Sequence, residues 1–266
     1  MMPPCFLVVF SDLDGTLLDH DDYSWGPAKG ALDMLAAMKA PVILATSKTA
    51  AEVEVLQCQM GLSGLPAIVE NGAGVTGIEG LVCRNEYRRL RETLGQLPDD
   101  MRQHFEGFGD MDDAQLVALT GLTVEAAVRA QTRMFSEPGL WNGNATQEAE
   151  FIAALDRKGV MARRGGRFLT LSFGKTKADG MAQIVAHYRP AQTIALGDAP
   201  NDIEMLEAAD FGVIIANPHH AALPLLDGEA RGTITRTTQA GPEGWDRAVR
   251  DILAEVTPKS GANLNG

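Results

Sequence analysis

Short runs of apolar residues recur near the start of the chain, and each is followed by a stretch with helical spacing. The runs are Cys5–Phe10, Val42–Ala45 and Ala67–Val69. Runs of this length are typical of strands buried on both faces of a parallel sheet. Apolar residues three and four apart predict helices between them, and the capping-box pattern from Thr49 to Glu52 opens the second helix. The alternation predicts right-handed βαβ units.

The same alternation returns near the end of the chain. Apolar runs at Thr193–Leu196 and Phe211–Ala216 predict two further strands, and Pro242 opens a last amphipathic helix. We therefore predict an α/β fold whose core is a doubly wound, Rossmann-like parallel sheet.

The middle of the chain follows a different pattern. Residues 84–158 have mostly helical spacing, interrupted by glycines. Two β-rich runs, Val160–Arg164 and Arg167–Ser172, then flank a pair of glycines, which is a strong signal for a hairpin. Because a hairpin belongs to an antiparallel sheet, we predict a separate α/β domain inserted into the core.

The predicted domain limits follow from this change of pattern. We assign residues 1–81 and 173–266 to the core and residues 82–172 to an inserted α/β cap. Positive and negative residues nearly balance from Arg84 to Thr170, whereas the rest of the chain carries almost all of the net charge of −12. A near-neutral insert in an acidic host is consistent with a domain that meets an anion, and solvated helix faces would explain it equally well.

Composition excludes several classes of partner. A strongly acidic chain is not expected to bind nucleic acid or an acidic membrane surface, because both need basic patches. No apolar stretch approaches the length that spans a bilayer. The three cysteines are scattered, and no basic segment precedes the first apolar run, so we expect a cytoplasmic protein. We expect a monomer or a homodimer that acts on a small molecule.

The strongest chemical signal is a pair of carboxylates after the first predicted strand. Asp12 and Asp14 lie two residues apart, directly before Gly15. Ligands of open parallel sheets bind at this end of the strands. Like charges so placed repel, and a pair of this kind calls for a cation such as Mg²⁺ or for a shared proton. One aspartate is then suited to attack phosphorus while the other transfers protons.

Further polar residues follow other predicted strands. Asp198 comes directly after Thr193–Leu196 and Gly197, and Asn201 and Asp202 follow it. We predict that Asp198 binds the same cation and that Asn201 and Asp202 orient its ligands. Capping of a helix that begins near Pro200 is the alternative for these side chains.

Two other positions suit a phosphate group. Thr46 follows the second predicted strand at the start of a helix, where hydroxyl and N–H groups can hold an anion. Lys175 lies at the start of another predicted helix, where a cation opposes the helix dipole and would be favoured only by a nearby anion. Lys177 competes with Lys175 for this role, and a solvated lysine is the ordinary alternative.

Together these motifs resemble those of the haloacid dehalogenase superfamily in order and in placement at strand ends. They match as Asp12 to Thr16, then Thr46, then Lys175, then Gly197 to Asp202. An insert between the second and third motifs is similar to the branch of that superfamily that contains many sugar phosphatases.

The resemblance implies a Rossmann-like core with a cap domain and a Mg²⁺-dependent phosphatase. It implies that Asp12 attacks phosphorus and that Asp14 is the general acid and base. It further implies that Asp12, the backbone carbonyl of Asp14 and Asp198 bind Mg²⁺, while Thr46 and Lys175 hold phosphoryl oxygens.

A closer resemblance, covering roughly residues 6–256, is to the mannosyl-3-phosphoglycerate phosphatases. It rests on several segments in and near the insert: 46–49, 70–73, 107–110, 119–122, 136–141 and 165–168. It implies hydrolysis of mannosyl-3-phosphoglycerate to mannosylglycerate, a compatible solute. Glucosyl-3-phosphoglycerate or another sugar phosphate is the alternative substrate.

The implied substrate carries a carboxylate and a sugar besides its phosphate. Arg167 is the predicted carboxylate ligand, because a guanidinium group binds a carboxylate through two parallel hydrogen bonds. Arg163 and Arg164 on the preceding strand are the alternatives. The predicted sugar contacts are Lys48, Asn71 and Glu137.

Overall fold

The computed structural model describes residues 6–80, 85–219 and 221–256. Its strands are β1 (Leu7–Ser11), β2 (Val42–Ala45), β3 (Ala67–Val69), β4 (Gly74–Thr76), β5 (Phe105–Gly107), β6 (Glu137–Trp141), β7 (Met161–Gly165), β8 (Phe168–Ser172), β9 (Gln192–Gly197), β10 (Phe211–Ala216) and β11 (Ile234–Ala240). Its α-helices are α1 (Lys29–Ala37), α2 (Ala50–Met60), α3 (Glu86–Gly95), α4 (Asp99–Arg102), α5 (Asp113–Thr120), α6 (Val124–Gln131), α7 (Ala145–Asp156), α8 (Lys177–Tyr188), α9 (Ile203–Ala208), α10 (Asp227–Arg231) and α11 (Gly241–Val256). None of these helices is long and apolar enough to cross a membrane.

The strands form two sheets. The larger has the order β11-β10-β9-β1-β2-β3-β4, and the pairings described for it are parallel except that of β3 with β4. The smaller has the order β5-β6-β8-β7 and is antiparallel. This is the predicted α/β class, a mostly parallel central sheet accompanied by a second sheet.

Packing divides the chain into two compact units, and the two divisions fall within β2 and within α8. The first unit is Met1–Ile43 with Val185–Gly266, and the second is Leu44–Ile184. The whole antiparallel sheet belongs to the second unit and lies inside the predicted cap, 82–172. The second unit also includes α2, β3 and β4, which we assigned to the core, so the predicted domain limits stay a prediction.

The strands predicted for the larger sheet agree closely with the structure, whereas β4 and β11 were not predicted. β2, β3 and β10 have the predicted bounds, and their side chains are mostly buried because neighbouring strands and helices cover both faces. β1 runs from Leu7 to Ser11, one residue beyond the predicted end, and Cys5 lies outside the described residues. Thr49 caps α2 as predicted: its Oγ1 accepts the N–H of Glu52 at 3.2 Å, and the Glu52 carboxylate accepts the N–H of Thr49 at 2.8 Å.

The second unit agrees with the predicted pattern and adds two strands to it. Residues 85–158 are mostly helical, as predicted, but the unpredicted strands β5 and β6 interrupt the helices and pair with each other. Both strands are short, and β6 contains Pro138 and Gly139, so only the partner strands identify them. The predicted hairpin is present as β7 and β8, with its turn at Gly166 and Arg167, one residue later than predicted. Helices α3 and α7 pack Leu90 and Phe151 against this sheet.

Candidate active site

Three buried aspartates converge in the first unit. One carboxylate oxygen from each of Asp12, Asp198 and Asp202 lies within 4.8 Å of the others. The three residues are 8%, 5% and 0% exposed. Burial of converging negative charges is unfavourable unless a cation or a proton compensates it. The predicted meeting of the first and fourth motifs is therefore present, and Asp202 lies in the cluster itself.

Backbone and side-chain hydrogen bonds set the place of Asp12. Its N–H donates to the carbonyl of Leu196 at 2.9 Å, which ties the end of β1 to β9. Its carbonyl accepts the hydroxyl of Ser11 at 2.7 Å, and that hydroxyl accepts the indole N–H of the buried Trp245 at 2.9 Å. The indole of α11 therefore fixes the backbone that carries Asp12.

Neutral donors hold the carboxylate of Asp198. Its Oδ1 accepts the hydroxyl of Thr16 at 2.6 Å, and its Oδ2 accepts the amide of Asn217 at 2.7 Å. Gly15 has a positive φ of 83°, and a β-carbon there would collide with the amide of Asn217. Glycine is required at this turn because both its backbone conformation and its neighbours exclude a side chain.

Asp202 fixes the turn that carries Asp198. Its Oδ2 accepts the N–H groups of Asp198 at 3.1 Å and of Ala199 at 3.0 Å. The capping alternative is thus present together with membership of the carboxylate cluster. Asn201 is exposed and Asp14 is half-buried, so the proposed roles of these two residues remain predictions.

The donor set of this cluster fits Mg²⁺. Carboxylate oxygens are the hard ligands that this cation prefers, and Mg²⁺ is commonly held by one or two protein carboxylates together with substrate phosphate. Asp12 and Asp198 are the predicted carboxylate ligands, and Asp202 supplies a third carboxylate beside them.

The second unit brings together Thr46, Lys48 and Asn71 after β2 and β3. The N–H of Thr46 donates to the carbonyl of Ile68 at 2.9 Å, and its Oγ1 accepts the N–H of Lys48 at 3.2 Å. The N–H of Asn71 donates to the carbonyl of Thr46 at 2.8 Å. The loop predicted to hold a phosphate and two of the three predicted sugar contacts, Lys48 and Asn71, are therefore hydrogen-bonded neighbours.

The two candidate lysines differ sharply in environment. Lys175 is exposed, and its Nζ lies 3.1 Å from a carboxylate oxygen of Glu86 in α3. Lys177, the first residue of α8, is only 1% exposed. A β-carbon on Gly72 would collide with the backbone of Thr176 and Lys177, so the start of α8 lies against the turn after β3. Burial and placement favour Lys177 over Lys175, the residue that we selected from the sequence.

Glu137 is enclosed by protein groups. Its side chain has no exposed surface, its Oε1 accepts the N–H of Gly109 at 2.8 Å, and Arg91 Nη1 lies 3.4 Å from the same oxygen. Burial raises the pKa of Glu137. A direct contact with a sugar, as predicted, would require this enclosure to open.

Arg167 keeps the accessibility that its predicted role needs. It is exposed at the turn between β7 and β8, and its guanidinium lies 5.1 Å from the centre of the Phe168 ring. Of the two alternatives, Arg164 pairs with Glu148 at 2.7 Å, while Arg163 is exposed. The ion pair therefore sets Arg164 apart, but exposure does not separate Arg167 from Arg163, and the choice of Arg167 stays a prediction.

Sequence comparison identifies the family. The chain matches the haloacid dehalogenase-like hydrolases over residues 9–104 and 145–230, which is more than half of its length. The chain belongs to this family. The matched ranges contain the carboxylate cluster and the Thr46 loop.

Solved structures agree with the fold of this hydrolase. A sugar phosphatase of subclass IIB is 17% identical, with a TM-score of 0.61 over 92% of this chain and 98% of its own. A phosphatase of the haloalkanoate enzyme superfamily from Bacteroides thetaiotaomicron is 18% identical, with a TM-score of 0.61 over 93% and 95%. The sucrose-phosphatase of Synechocystis, solved with sucrose and phosphate, is 17% identical, with a TM-score of 0.60 over 94% and 98%.

Sequence reasoning missed two residues of this hydrolase that the structure makes prominent. Asn217 supports Asp198, and its position directly after the apolar run of β10 was the available signal. Glu70 is 2% exposed and lies directly before Asn71. A lone glutamate after a short strand carries no sequence signal of burial.

Proposed function

We propose that this hydrolase is a Mg²⁺-dependent phosphatase that converts mannosyl-3-phosphoglycerate to mannosylglycerate and phosphate. The convergence of Asp12, Asp198 and Asp202 carries the proposal. A buried nucleophilic carboxylate beside further carboxylates is the arrangement needed for an aspartyl-phosphate route. The alternative is a phosphatase of the same mechanism for glucosyl-3-phosphoglycerate or another sugar phosphate.

In the first step a carboxylate oxygen of Asp12 attacks phosphorus. The bond from phosphorus to the 3-oxygen of the glycerate breaks, and Asp14 donates a proton to that oxygen. The products of this step are mannosylglycerate and an aspartyl phosphate on Asp12. General acid help of this kind is typically worth about 10²–10⁴-fold.

In the second step water attacks the phosphorus atom of the aspartyl phosphate. Asp14, now a carboxylate, takes a proton from the attacking water, and the bond between phosphorus and the Asp12 oxygen breaks. Inorganic phosphate leaves, and both aspartates return to their starting states. The bond that the Asp12 N–H donates to the Leu196 carbonyl, and the one that the Asp12 carbonyl accepts from the Ser11 hydroxyl, would hold the nucleophile in place through both steps.

Asp12, Asp198 and the backbone carbonyl of Asp14 would hold Mg²⁺, with Asp202 beside them. The cation would neutralise charge on the phosphoryl group and align it. Thr16 and Asn217 would keep the carboxylate of Asp198 oriented toward it, because each occupies one of its oxygens.

Thr46 and Lys177 are the proposed phosphoryl-oxygen ligands from the second unit. Phosphoryl transfer needs positioning and electrostatic stabilisation more than covalent help, so a buried lysine is well suited. Lys175 was the sequence-based choice for this role, and its exposure and its pairing with Glu86 argue for Lys177 instead.

The proposed substrate rests on the segments of the predicted cap that resemble mannosyl-3-phosphoglycerate phosphatases. It also rests on the sugar phosphatases whose folds are similar to this one. The subclass IIB phosphatase and the sucrose-phosphatase both act on sugar phosphates, by their names. In this chain Arg167 is proposed to bind the glycerate carboxylate, and Lys48 and Asn71 to contact the mannose. Glu137 is proposed to hold Gly109 and Arg91 in position within the predicted cap.

Phosphate release from three esters tests the proposal. The esters are mannosyl-3-phosphoglycerate, glucosyl-3-phosphoglycerate and mannose 6-phosphate, each assayed with Mg²⁺ and with a chelator. Fast, chelator-sensitive release from the first alone is the expected result. Equal or faster release from another ester would replace the substrate and keep the mechanism. Release that persists unchanged in Asp12→Asn would overturn the mechanism.

A further inference from the structure

The carboxylate of Glu70 is surrounded by donors from one short segment of the second unit. Its Oε1 accepts the N–H of Met134 at 2.8 Å. Its Oε2 accepts the N–H of Phe135 at 3.1 Å, and the N–H and hydroxyl of Ser136 at 2.7 and 2.8 Å. Arg133 adds an ion pair at 3.3 Å. So many charge-assisted contacts make Glu70 the anchor of this segment.

The backbone around Glu70 belongs to the proposed phosphate and sugar loops. Its N–H donates to the carbonyl of Lys48 at 3.0 Å. Glu70 and Asn71 both adopt left-handed backbone, with φ of 53° and 60°, and Gly72 follows with φ of 88°. Left-handed conformations are rare for residues other than glycine, and they persist where surrounding contacts enforce them. The side chain of Asn71 therefore depends on a turn that Glu70 helps to hold.

The anchored segment leads directly into the second sheet. Ser136 precedes β6, and the carbonyl of Met134 accepts the N–H of Tyr87 in α3 at 3.0 Å. A second link lies nearby, where the hydroxyl of Thr49 donates to the carbonyl of Arg129 at 2.9 Å. The loops after β2 and β3 are thus joined to residues 129–136, which belong to the predicted cap.

We propose that Glu70 is a positioning residue that sets the cap strand β6 against the turn carrying Asn71. The side chain of Glu70 is buried, so it acts through the residues that it holds and does not touch the substrate. Its loss would misplace groups that bind the sugar and the glycerate while leaving the phosphoryl chemistry intact. This inference rests on the proposed function and deepens it.

The test is Glu70→Gln assayed on two substrates of different size. Glutamine has nearly the same shape and the same backbone tolerance, so the substitution isolates the loss of the charge. For mannosyl-3-phosphoglycerate we expect kcat/KM to fall about 10–100-fold, because an ångström of misplacement can cost about 10²-fold. For acetyl phosphate, which has neither sugar nor glycerate, we expect a change of less than about threefold.

Two further variants complete the design. Ser136→Ala removes one donor to Glu70. It should lower kcat/KM for mannosyl-3-phosphoglycerate by a smaller factor and leave acetyl phosphate unaffected, so it tests the proposal even if Glu70→Gln fails to fold. Glu229→Gln is the matched control, because that carboxylate also accepts a backbone N–H, from Leu226 at 2.8 Å, and pairs with Arg236 at 2.7 Å. It should leave both activities unchanged.

An equal loss on both substrates in Glu70→Gln and Ser136→Ala would overturn the inference, and so would unchanged kinetics. Hydrogen exchange of the Met134 and Ser136 amides gives a readout that needs no substrate. Faster exchange in Glu70→Gln is expected, and unchanged exchange would overturn the anchor. If wild-type protein released phosphate from neither substrate, the proposed function would fail while the exchange result still decided the role of Glu70 as the anchor.

Discussion

The two units each bury carboxylates, and they do so in opposite ways. In the first unit three aspartates from two strand ends converge within 4.8 Å of one another. In the second unit the single carboxylate of Glu70 lies among backbone N–H groups, a hydroxyl and a guanidinium. Both arrangements are buried, yet the first brings like charges together and the second surrounds one charge with hydrogen-bond donors.

This difference distinguishes a carboxylate cluster suited to binding a cation from a carboxylate that stabilises the fold. A buried carboxylate whose oxygens are satisfied by the protein stabilises the chain that supplies the donors. Converging carboxylates raise the free energy of the metal-free fold, and a divalent cation lowers it again. The donors that Thr16 and Asn217 offer to Asp198 are neutral, so they orient the carboxylate without cancelling its charge.

The largest expected effect comes from removing one carboxylate of the cluster in the first unit. Asp12→Asn should lower phosphate release by about 10⁴–10⁶-fold, since the nucleophile is lost. The same substitution should leave the metal-free protein at least as stable, because one of three converging charges is removed. Phosphate assays and urea unfolding with chelator would check both. Asp33→Asn, in an exposed pair with Lys29 on α1, is the control.

The lysines provide the next largest effect. Lys177→Met should lower phosphate release by about 10²–10³-fold, as loss of one stabilising donor does elsewhere. Lys175→Met should change it less than about threefold, because that side chain is exposed and pairs with Glu86. Steady-state kinetics on the preferred ester would show it. The reverse order of the two losses would restore Lys175 as the phosphate ligand.

Metal binding tests the difference between the two kinds of carboxylate site without an activity assay. Mg²⁺ at about 100 times its dissociation constant should raise the free energy of unfolding by about 2.7 kcal/mol. Asp198→Asn should remove most of this gain, whereas Glu70→Gln should keep it. Urea unfolding with and without Mg²⁺ measures the difference. A gain retained in full by Asp198→Asn would place the cation elsewhere.

Glu70→Gln should cost stability where Asp12→Asn does not. Hydrogen bonds to a charged group contribute about 1.5–3 kcal/mol, so we expect a loss of about 2 kcal/mol in the free energy of unfolding. Urea unfolding of the metal-free protein is the measurement. A Glu70→Gln protein as stable as wild type would show that the carboxylate contributes little and that the two kinds of cluster are not distinct.

The smallest expected effect is a change of stability with pH, and its direction is the prediction. Burial raises the pKa of Glu137, so the fold favours its protonated form. The stability that it contributes is complete below the ordinary carboxyl range and is lost as pH rises through its pKa in the fold. Relative to wild type, Glu137→Gln should therefore gain stability as pH rises from 4 to 7. Unfolding curves across that range test the sign, and a difference that falls with pH would contradict it.

Periodicity predicted β1, β2, β3, β9 and β10 of the larger sheet but missed β4 and β11, and in the second sheet it predicted only the β7–β8 hairpin. β2, β3 and β10 are uninterrupted apolar runs, because a strand covered on both faces must be apolar throughout. β5 and β6 have no such signature, since β5 has only three residues and β6 contains Pro138 and Gly139. Their pairing with each other, and of β6 with β8, identifies them as strands.

The candidate site shows the same division. The carboxylates were predictable because strand ends of a parallel sheet meet at one edge, and Asp12 and Asp198 each follow such a strand. The choice between Lys175 and Lys177 was not, since two residues on a helix start differ in direction only once the helix is packed. Glu70 and Asn217 were not predicted, because the residues that each of them contacts are distant along the chain.

The sequence by itself determined the α/β class, the strand ends that carry the carboxylates, and the family motifs. These depend on local order along the chain, on apolar runs and on the residues that follow them. Only the tertiary structure decided that Asp202 joins the cluster, that Lys177 is the buried lysine, and that Glu137 is enclosed. Burial and hydrogen-bond partners are set by packing between distant segments, and packing has no local signature.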